Sequence, residues 1–345
     1  MLPFIPLFAV LQFTFSPIVT IAGLDVRLDT MALAVVILAC LIVAARIARR
    51  APVDLDRSVD ATDPEYGEPN HLRRDDLLYV TVAAVPGAVI GGRVGYALVH
   101  LDYYQANSSA LLDISQGSLS LSLAVVGGFL TASIVAALLG APVGRWLHAI
   151  VLSLLLALAG GKLAMALGGS GQGVPWTGDW ATAYLGPGPW GSLVPAIPSY
   201  PSQVLEALAT LGVLLVMACL LAVGLFARRT GAAFLLGIAL WAAARAAVAS
   251  TWRDPMVVDP FGIPLRMEQV ICLAIAAVSL VLAAAVTAVD VARRRRRRTA
   301  SAGGAGEPGG GASGPAPGGG DGGQVPGGGA DGEPSWPDSE DRPFI

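Results

Sequence analysis

Four charged side chains, Arg93, Lys162, Glu206 and Arg245, stand inside stretches that are otherwise long and apolar enough to cross a bilayer. An ionised group there costs about 3 kcal/mol on insertion scales, so its default reading is a functional one, facing the bundle interior or a wet cavity. Arginine grips phosphate with two N–H groups and lysine binds it as a point charge. Three cations with one carboxylate therefore suit an anionic lipid headgroup. Arg93 belongs to the run Gly91-Gly92-Arg93-Val94-Gly95-Tyr96-Ala97-Leu98-Val99-His100. Tyr96 and His100 follow Arg93 at spacings that keep all three on one helix face. His100 stands at the membrane edge and is a candidate general base near neutral pH. Gly91, Gly92 and Gly95 would let a neighbouring helix or a lipid come close. In the competing structural reading, Arg93 and Arg245 only pair with Glu206 and backbone carbonyls and lock the bundle.

The elements that must position these groups are apolar spans. The chain has 345 residues, 54% hydrophobic and 14% charged, and its mean hydropathy is +0.64. Soluble domains carry about 25% charged residues, so the composition describes an all-α polytopic membrane protein. Seven spans are expected, at residues 31–45, 77–99, 119–139, 146–167, 204–226, 232–249 and 270–289. Residues 1–24 are apolar but broken by Pro3, Pro6 and Pro17, and fit an interfacial segment better than a cleaved leader. Residues 25–292 hold the spans. Six arginines, Arg293–Arg298, follow, and the Gly- and Pro-rich remainder of 293–345 is too polar to bury a core. Such a basic run beside a span reads as a stop-transfer signal, not as a nucleic-acid site. Cys40, Cys219 and Cys272 have neither metal-type nor disulfide-type spacing.

Lys and Arg gather in cytoplasmic loops. Here they follow the first, third, fifth and seventh spans: Arg46 to Arg74, Arg145, Arg228-Arg229 and Arg293 to Arg298. The expected N-terminus is therefore outside and the C-terminus cytoplasmic. With that orientation Arg93, His100, Lys162, Gln203, Glu206 and Arg245 all fall at one depth, in the outer half of the membrane. One polar cavity open to the outside or the outer leaflet is the expectation.

The chain resembles the bacterial prolipoprotein diacylglyceryl transferases. Gly92-Arg93-Val94-Gly95-Tyr96 is similar to their Gly-Ala-Arg-x-Gly-Tyr segment, and Pro201-Ser-Gln-Val-Leu-Glu206 to their Pro-Ser-Gln-Leu-Tyr-Glu. Arg245 with Arg253 and Pro255 resembles Arg-Phe-x-x-Glu-x-x-Arg-x-Pro, and Met267-Glu-Gln269 resembles the Met-Gly-Gln that opens their last span. Several positions differ from the pattern. Gly161-Lys162-Leu-Ala-Met165 stands for Gly-Arg-x-Gly-Asn, Val126-Gly127-Gly128 for His-Gly-Gly, Ala249 for the glutamate after Arg245, and Asp29 for a tyrosine.

The resemblance implies transfer of a diacylglyceryl group from phosphatidylglycerol to the lipobox cysteine of a prolipoprotein, at the outer face of the bacterial cytoplasmic (inner) membrane. Glycerol phosphate leaves, and no metal or cofactor is needed. The partners implied are phosphatidylglycerol, prolipoprotein signal peptides and the membrane. Arg245 and His100 are the candidate catalytic residues. Arg93, Lys162, Tyr96, Gln203, Glu206 and Gly128 are the candidate substrate-binding residues. A second reading is a non-catalytic relative that binds lipid or lipoprotein. A third, a small-solute transporter, would call for internal repeats and broken helices, and no convincing repeat is present.

Overall fold

The computed structural model describes residues 10–13, 18–50, 74–113, 119–184, 197–226, 230–254, 256–259 and 262–304. The chain divides into two units, Met1–Arg295 and Arg296–Ile345. Helices make up most of the first: α1 (Leu28–Arg50), α2 (Arg74–Val99), the short α3 (Leu101–Ala106), α4 (Leu121–Leu138), α5 (Val143–Leu167), α6 (Ser202–Ala222), α7 (Ala232–Ala249) and α8 (Met267–Gly304). The last turns of α8, from Arg296, lie in the second unit and are helical. All seven long helices contain a window apolar and long enough to span a membrane. The remainder of the tail, 305–345, and most of the mixed-charge loop, 51–73, lie outside the described residues.

The helices outrun the apolar spans where charged residues continue them. α1 runs from Leu28 to Arg50, past Ala45 where the expected span ended, because arginine is a good helix former and a hydropathy boundary is not a helix boundary. α8 likewise continues through the arginine run to Gly304, past Thr299, where a structureless tail was expected to begin.

Short strands stand beside the helices, and the sequence reading placed none there. β1 (Leu11–Phe13) pairs in parallel with β4 (Thr182–Tyr184). β2 (Ile18–Ile21) and β3 (Leu24–Arg27) form a hairpin, so the expected boundary at residues 24/25 falls inside it. β5 (Met256–Val258) pairs with β6 (Leu265–Arg266) just before α8. Each strand is only two to four residues long. That is too short for a period-two pattern to stand out from an apolar background.

In lipid, apolar surface does not drive helices together, so close packing must. Glycine supplies it between α2 and α4, the most extensive helix pair. A Cβ on Gly87 or Gly127 would run into the other's carbonyl oxygen, and one on Gly91 into the Leu123 carbonyl. The glycine run around Arg93 thus admits a helix, not a lipid. α5 packs on α1, α6 and α7. A core of Val151, Leu155, Met217, Phe234, Ile238 and Trp241 is closed by Ile271 and Ile275 of α8.

Candidate active site

The ends of α2, α5 and α7 meet the starts of α4, α6 and α8 at one end of the bundle. Hydrogen bonds between these termini fix the arrangement. Ser120 N–H donates to the Gly92 carbonyl at 2.9 Å. Ser202 and Thr251 share a hydroxyl contact of 2.6 Å. Gln269 Nε2 donates to the Ala246 carbonyl at 3.2 Å, and Arg266 Nη2 to that of Ser250 at 3.2 Å.

These termini enclose a cavity of about 640 Å³. On its wall sits a cluster of four charges. Lys162 Nζ lies 2.9 Å from Glu206 Oε2. Arg245 Nη1 bonds the other oxygen of the same carboxylate. Arg245 Nε and Nη2 lie 3.2 and 3.1 Å from Glu268 Oε1. Side-chain exposure is 12% for Lys162, 4% for Arg245 and 2% for Glu206, so the cluster is withdrawn from solvent yet faces the cavity. Two cations and two carboxylates leave it formally neutral, which is how buried charge becomes tolerable. Trp252 lies across both cations, its ring centroid 4.5 Å from the Arg245 guanidinium carbon and 5.6 Å from Lys162 Nζ. This is a cation–π arrangement that strengthens as water is excluded.

Of the residues picked out in the sequence, Tyr96, His100, Lys162, Gln203, Glu206 and Arg245 all line this cavity. The His100 ring stacks on Tyr96 with centroids 4.1 Å apart, and its Nδ1 lies 3.0 Å from the Tyr96 carbonyl. A carbonyl only accepts, so Nδ1 is the donor of this bond, which in a neutral ring leaves the lone pair on Nε2. Gln203 is 2% exposed. Its Nε2 donates to Tyr184 Oη at 3.2 Å, whereas its Oε1 is buried without a hydrogen-bond partner among the described residues. Burial pushes the Tyr184 phenol up from its usual range, with the Gln203 hydrogen bond pulling the other way, so it stays protonated at neutral pH.

Two expected residues are elsewhere. Arg93 does not line the cavity. Its Nε donates to the Leu111 carbonyl at 2.9 Å, and its Nη2 to those of Ala110 and Asp113 at 2.5 and 3.1 Å. The guanidinium lies 5.5 Å from the centroid of the Tyr104 ring, which also meets Tyr96 edge-on at 6.3 Å. Arg93 thus holds the segment after α3 by its carbonyls, the structural alternative weighed for it. Gly128 faces α2, where an added Cβ would lie 3.2 Å from the Ala84 carbonyl oxygen. It borders a separate apolar cavity of about 290 Å³. Neither residue lines the cavity that Lys162 and Arg245 face.

Four contributors, Glu268, Ser120, Ser122 and Trp252, had no role assigned from the sequence. Glu268 stood only as a motif position at the start of the last span. Ser120 and Ser122 gave no signal of their own. The Oγ atoms of both bond Glu268, that of Ser120 at 3.1 Å. Trp252, just past the sixth span, was not singled out. At Ala249 there is no carboxylate one turn beyond Arg245. Asp29 pairs with Arg27 at 2.6 Å and abuts Gly168.

Seven membrane-crossing helices around a buried charge cluster define a polytopic membrane protein with a polar cavity at one end of its bundle. The model of the prolipoprotein diacylglyceryl transferase family matches residues 17–285, and the chain belongs to that family, whose members are multi-pass proteins of the bacterial inner membrane. The phosphatidylglycerol–prolipoprotein diacylglyceryl transferase of Clostridioides difficile is 24% identical over 205 residues, 59% of this chain and 75% of the relative. The enzyme of that name from Polynucleobacter asymbioticus is 34% identical over 141 residues, 39% of this chain and 48% of the relative. A third, from Polynucleobacter necessarius, is 32% identical over 174 residues, 48% and 52% of the two chains. The match thus spans about half the length of the two Polynucleobacter proteins.

Proposed function

We propose that the chain transfers the diacylglyceryl group of phosphatidylglycerol to the cysteine thiol of a prolipoprotein lipobox. The observation that carries this reading is the buried Lys162–Glu206–Arg245 cluster opening on a cavity of about 640 Å³ within the family's fold. In the reaction the cysteine sulfur attacks the glycerol carbon that bears the phosphate. The carbon–oxygen bond breaks, its electron pair leaves with glycerol phosphate, and a thioether forms. Negative charge grows on the leaving phosphate, so preorganised cations in a dry site lower the barrier.

Lys162 and Arg245 would hold that phosphate, which competes with Glu206 for both cations. His100 would take the thiol proton at Nε2, since its Nδ1 hydrogen is committed to Tyr96. Tyr96 fixes that ring by stacking. A thiol of pKa about 8.5 needs such a base to become a nucleophile at neutral pH. The unpartnered Gln203 Oε1 accepts a hydroxyl hydrogen of the glycerol headgroup. With the arginine-bearing loops on the cytoplasmic side, the N-terminus would lie outside, the C-terminus in the cytoplasm, and the cavity would face the outer leaflet. By the same reading residues 25–292 form the membrane domain, and 293–345 a basic run with a cytoplasmic tail.

Gln203→Leu removes that acceptor together with the Nε2 hydrogen bond to Tyr184. It is expected to raise KM for phosphatidylglycerol about tenfold, the worth of one buried hydrogen bond, with kcat changed much less. Titration of lipid in mixed vesicles measures it, and an unchanged KM would remove Gln203 from headgroup recognition.

The proposed activity is tested with phosphatidylglycerol carrying labelled acyl chains and a lipobox peptide, by looking for label on the peptide cysteine. The non-catalytic reading draws on the two cations being already neutralised by carboxylates and on Arg93 lying outside the cavity. Phosphatidylglycerol that binds and is recovered unaltered, with no label on the peptide, would establish that reading instead.

A further inference from the structure

We infer that Glu268 is a positioning residue for the transfer: entering from α8, it fixes the plane of the Arg245 guanidinium so that the remaining hydrogens on its terminal nitrogens face the lipid phosphate. The inference rests on the proposed transfer and assigns a role to a residue that reaction does not by itself require.

Glu268 is 2% exposed and is held from two sides. Ser120 Oγ donates to its Oε2 at 3.1 Å, and Ser122 Oγ donates to its Oε1. Both serines sit at the start of α4, which the Ser120 N–H anchors to α2. The carboxylate is therefore fixed before Arg245 is considered. Arg245 Nε shares its hydrogen between Ser122 Oγ at 2.9 Å and Glu268 Oε1 at 3.2 Å, and Nη2 donates to the same Oε1 at 3.1 Å, so serine and carboxylate together hold the side edge of the guanidinium.

Glu206 takes Nη1. These contacts leave one hydrogen on each terminal nitrogen for an anion in the cavity. The Trp252 ring, 4.5 Å away, limits rotation out of that plane. Arg245 cannot find an acid one turn further along its own helix, because that position is Ala249. Of the two acids beside Arg245, Glu206 is shared with Lys162, whereas Glu268 meets no other cation among the described residues.

This role separates rate from binding. Glu268→Gln keeps size and, with the Ser120 bond reversed so that the amide N–H donates to its Oγ, hydrogen bonding to the serines, but removes one negative charge from a neutral cluster. The anionic headgroup then binds more tightly, by about tenfold for one charge at this distance in a partly screened site. Transfer slows about a hundredfold, because a misplaced group costs that much. Glu268→Asp keeps the charge on a shorter arm, so its lipid affinity stays near wild type and its rate falls between the two.

The test measures phosphatidylglycerol affinity and peptide labelling for the full chain and both variants in vesicles of phosphatidylglycerol and phosphatidylcholine. Thermal unfolding in detergent is followed alongside. Opposite movement of affinity and kcat in Glu268→Gln, with an intermediate Glu268→Asp, supports the inference. Wild-type rate and affinity in Glu268→Gln overturn it, as does parallel loss of rate, affinity and folding in both variants, which describes a purely structural acid. If the wild-type chain labels no peptide, the transfer reading fails by itself. The affinity arm then decides: an unchanged affinity in Glu268→Gln overturns the inference, and a tighter one keeps Glu268 as the residue that sets Arg245 against the headgroup.

Discussion

Arg245→Ala is expected to lower kcat/KM for lipid transfer about a thousandfold, the upper range for removing one donor from a site of developing charge. The same change strands Glu268 and takes from Glu206 one of its two cations. Leaving a buried carboxylate unpaired costs about 3–5 kcal/mol, so the variant should also unfold at lower temperature. Arg245→Lys separates the two effects. Lysine restores the charge and much of the stability, but not the two-pronged grip, so its rate should stay about a hundredfold below wild type. Labelling kinetics and thermal unfolding on one preparation check both. An Arg245→Lys chain that transfers at the wild-type rate would show that charge alone matters at this position.

The second large effect concerns the fold. Gly127→Leu drives a side chain into the Gly87 carbonyl and the Gly91 Cα across the α2–α4 contact. Both neighbours are backbone, so the helices must separate. The cost should exceed the roughly 1–3 kcal/mol of ordinary overpacking, and little folded protein should survive size-exclusion chromatography in detergent. Gly212→Ala is the control. Nothing lies within 4 Å of a Cβ there, and alanine in a helix gains about 0.5–1 kcal/mol over glycine. If Gly127→Leu behaves like Gly212→Ala, the close helix contact does not hold the bundle together.

The seven helices were legible because bilayer thickness sets a length that an apolar run either reaches or misses. Their ends were less so: α1 and α8 run on through arginines that a hydropathy boundary excludes. Lys162, Glu206 and Arg245 were expected at one depth from loop charges and helix direction, and the structure brings the three together. Arg93 shared that depth but not that destination. Whether an arginine turns inward to a cavity or sideways to loop carbonyls depends on where residues 110–113 lie, and helix direction says nothing of that. The β1–β4 pairing joins segments far apart in the chain, each too short to carry a pattern. Glu268 was hidden for another reason. A carboxylate near a helix start is ordinary, and only the three-dimensional neighbourhood of Ser122 and Arg245 gives it a partner.

The most direct measurement of the central claim counts products on both sides of the reaction: glycerol phosphate released and thioether formed on a lipobox peptide, from phosphatidylglycerol vesicles containing the purified chain. Transfer predicts equal amounts of the two throughout the time course, and loss of both together in Lys162→Ala. Glycerol phosphate without thioether, or neither product while phosphatidylglycerol remains bound, would contradict it.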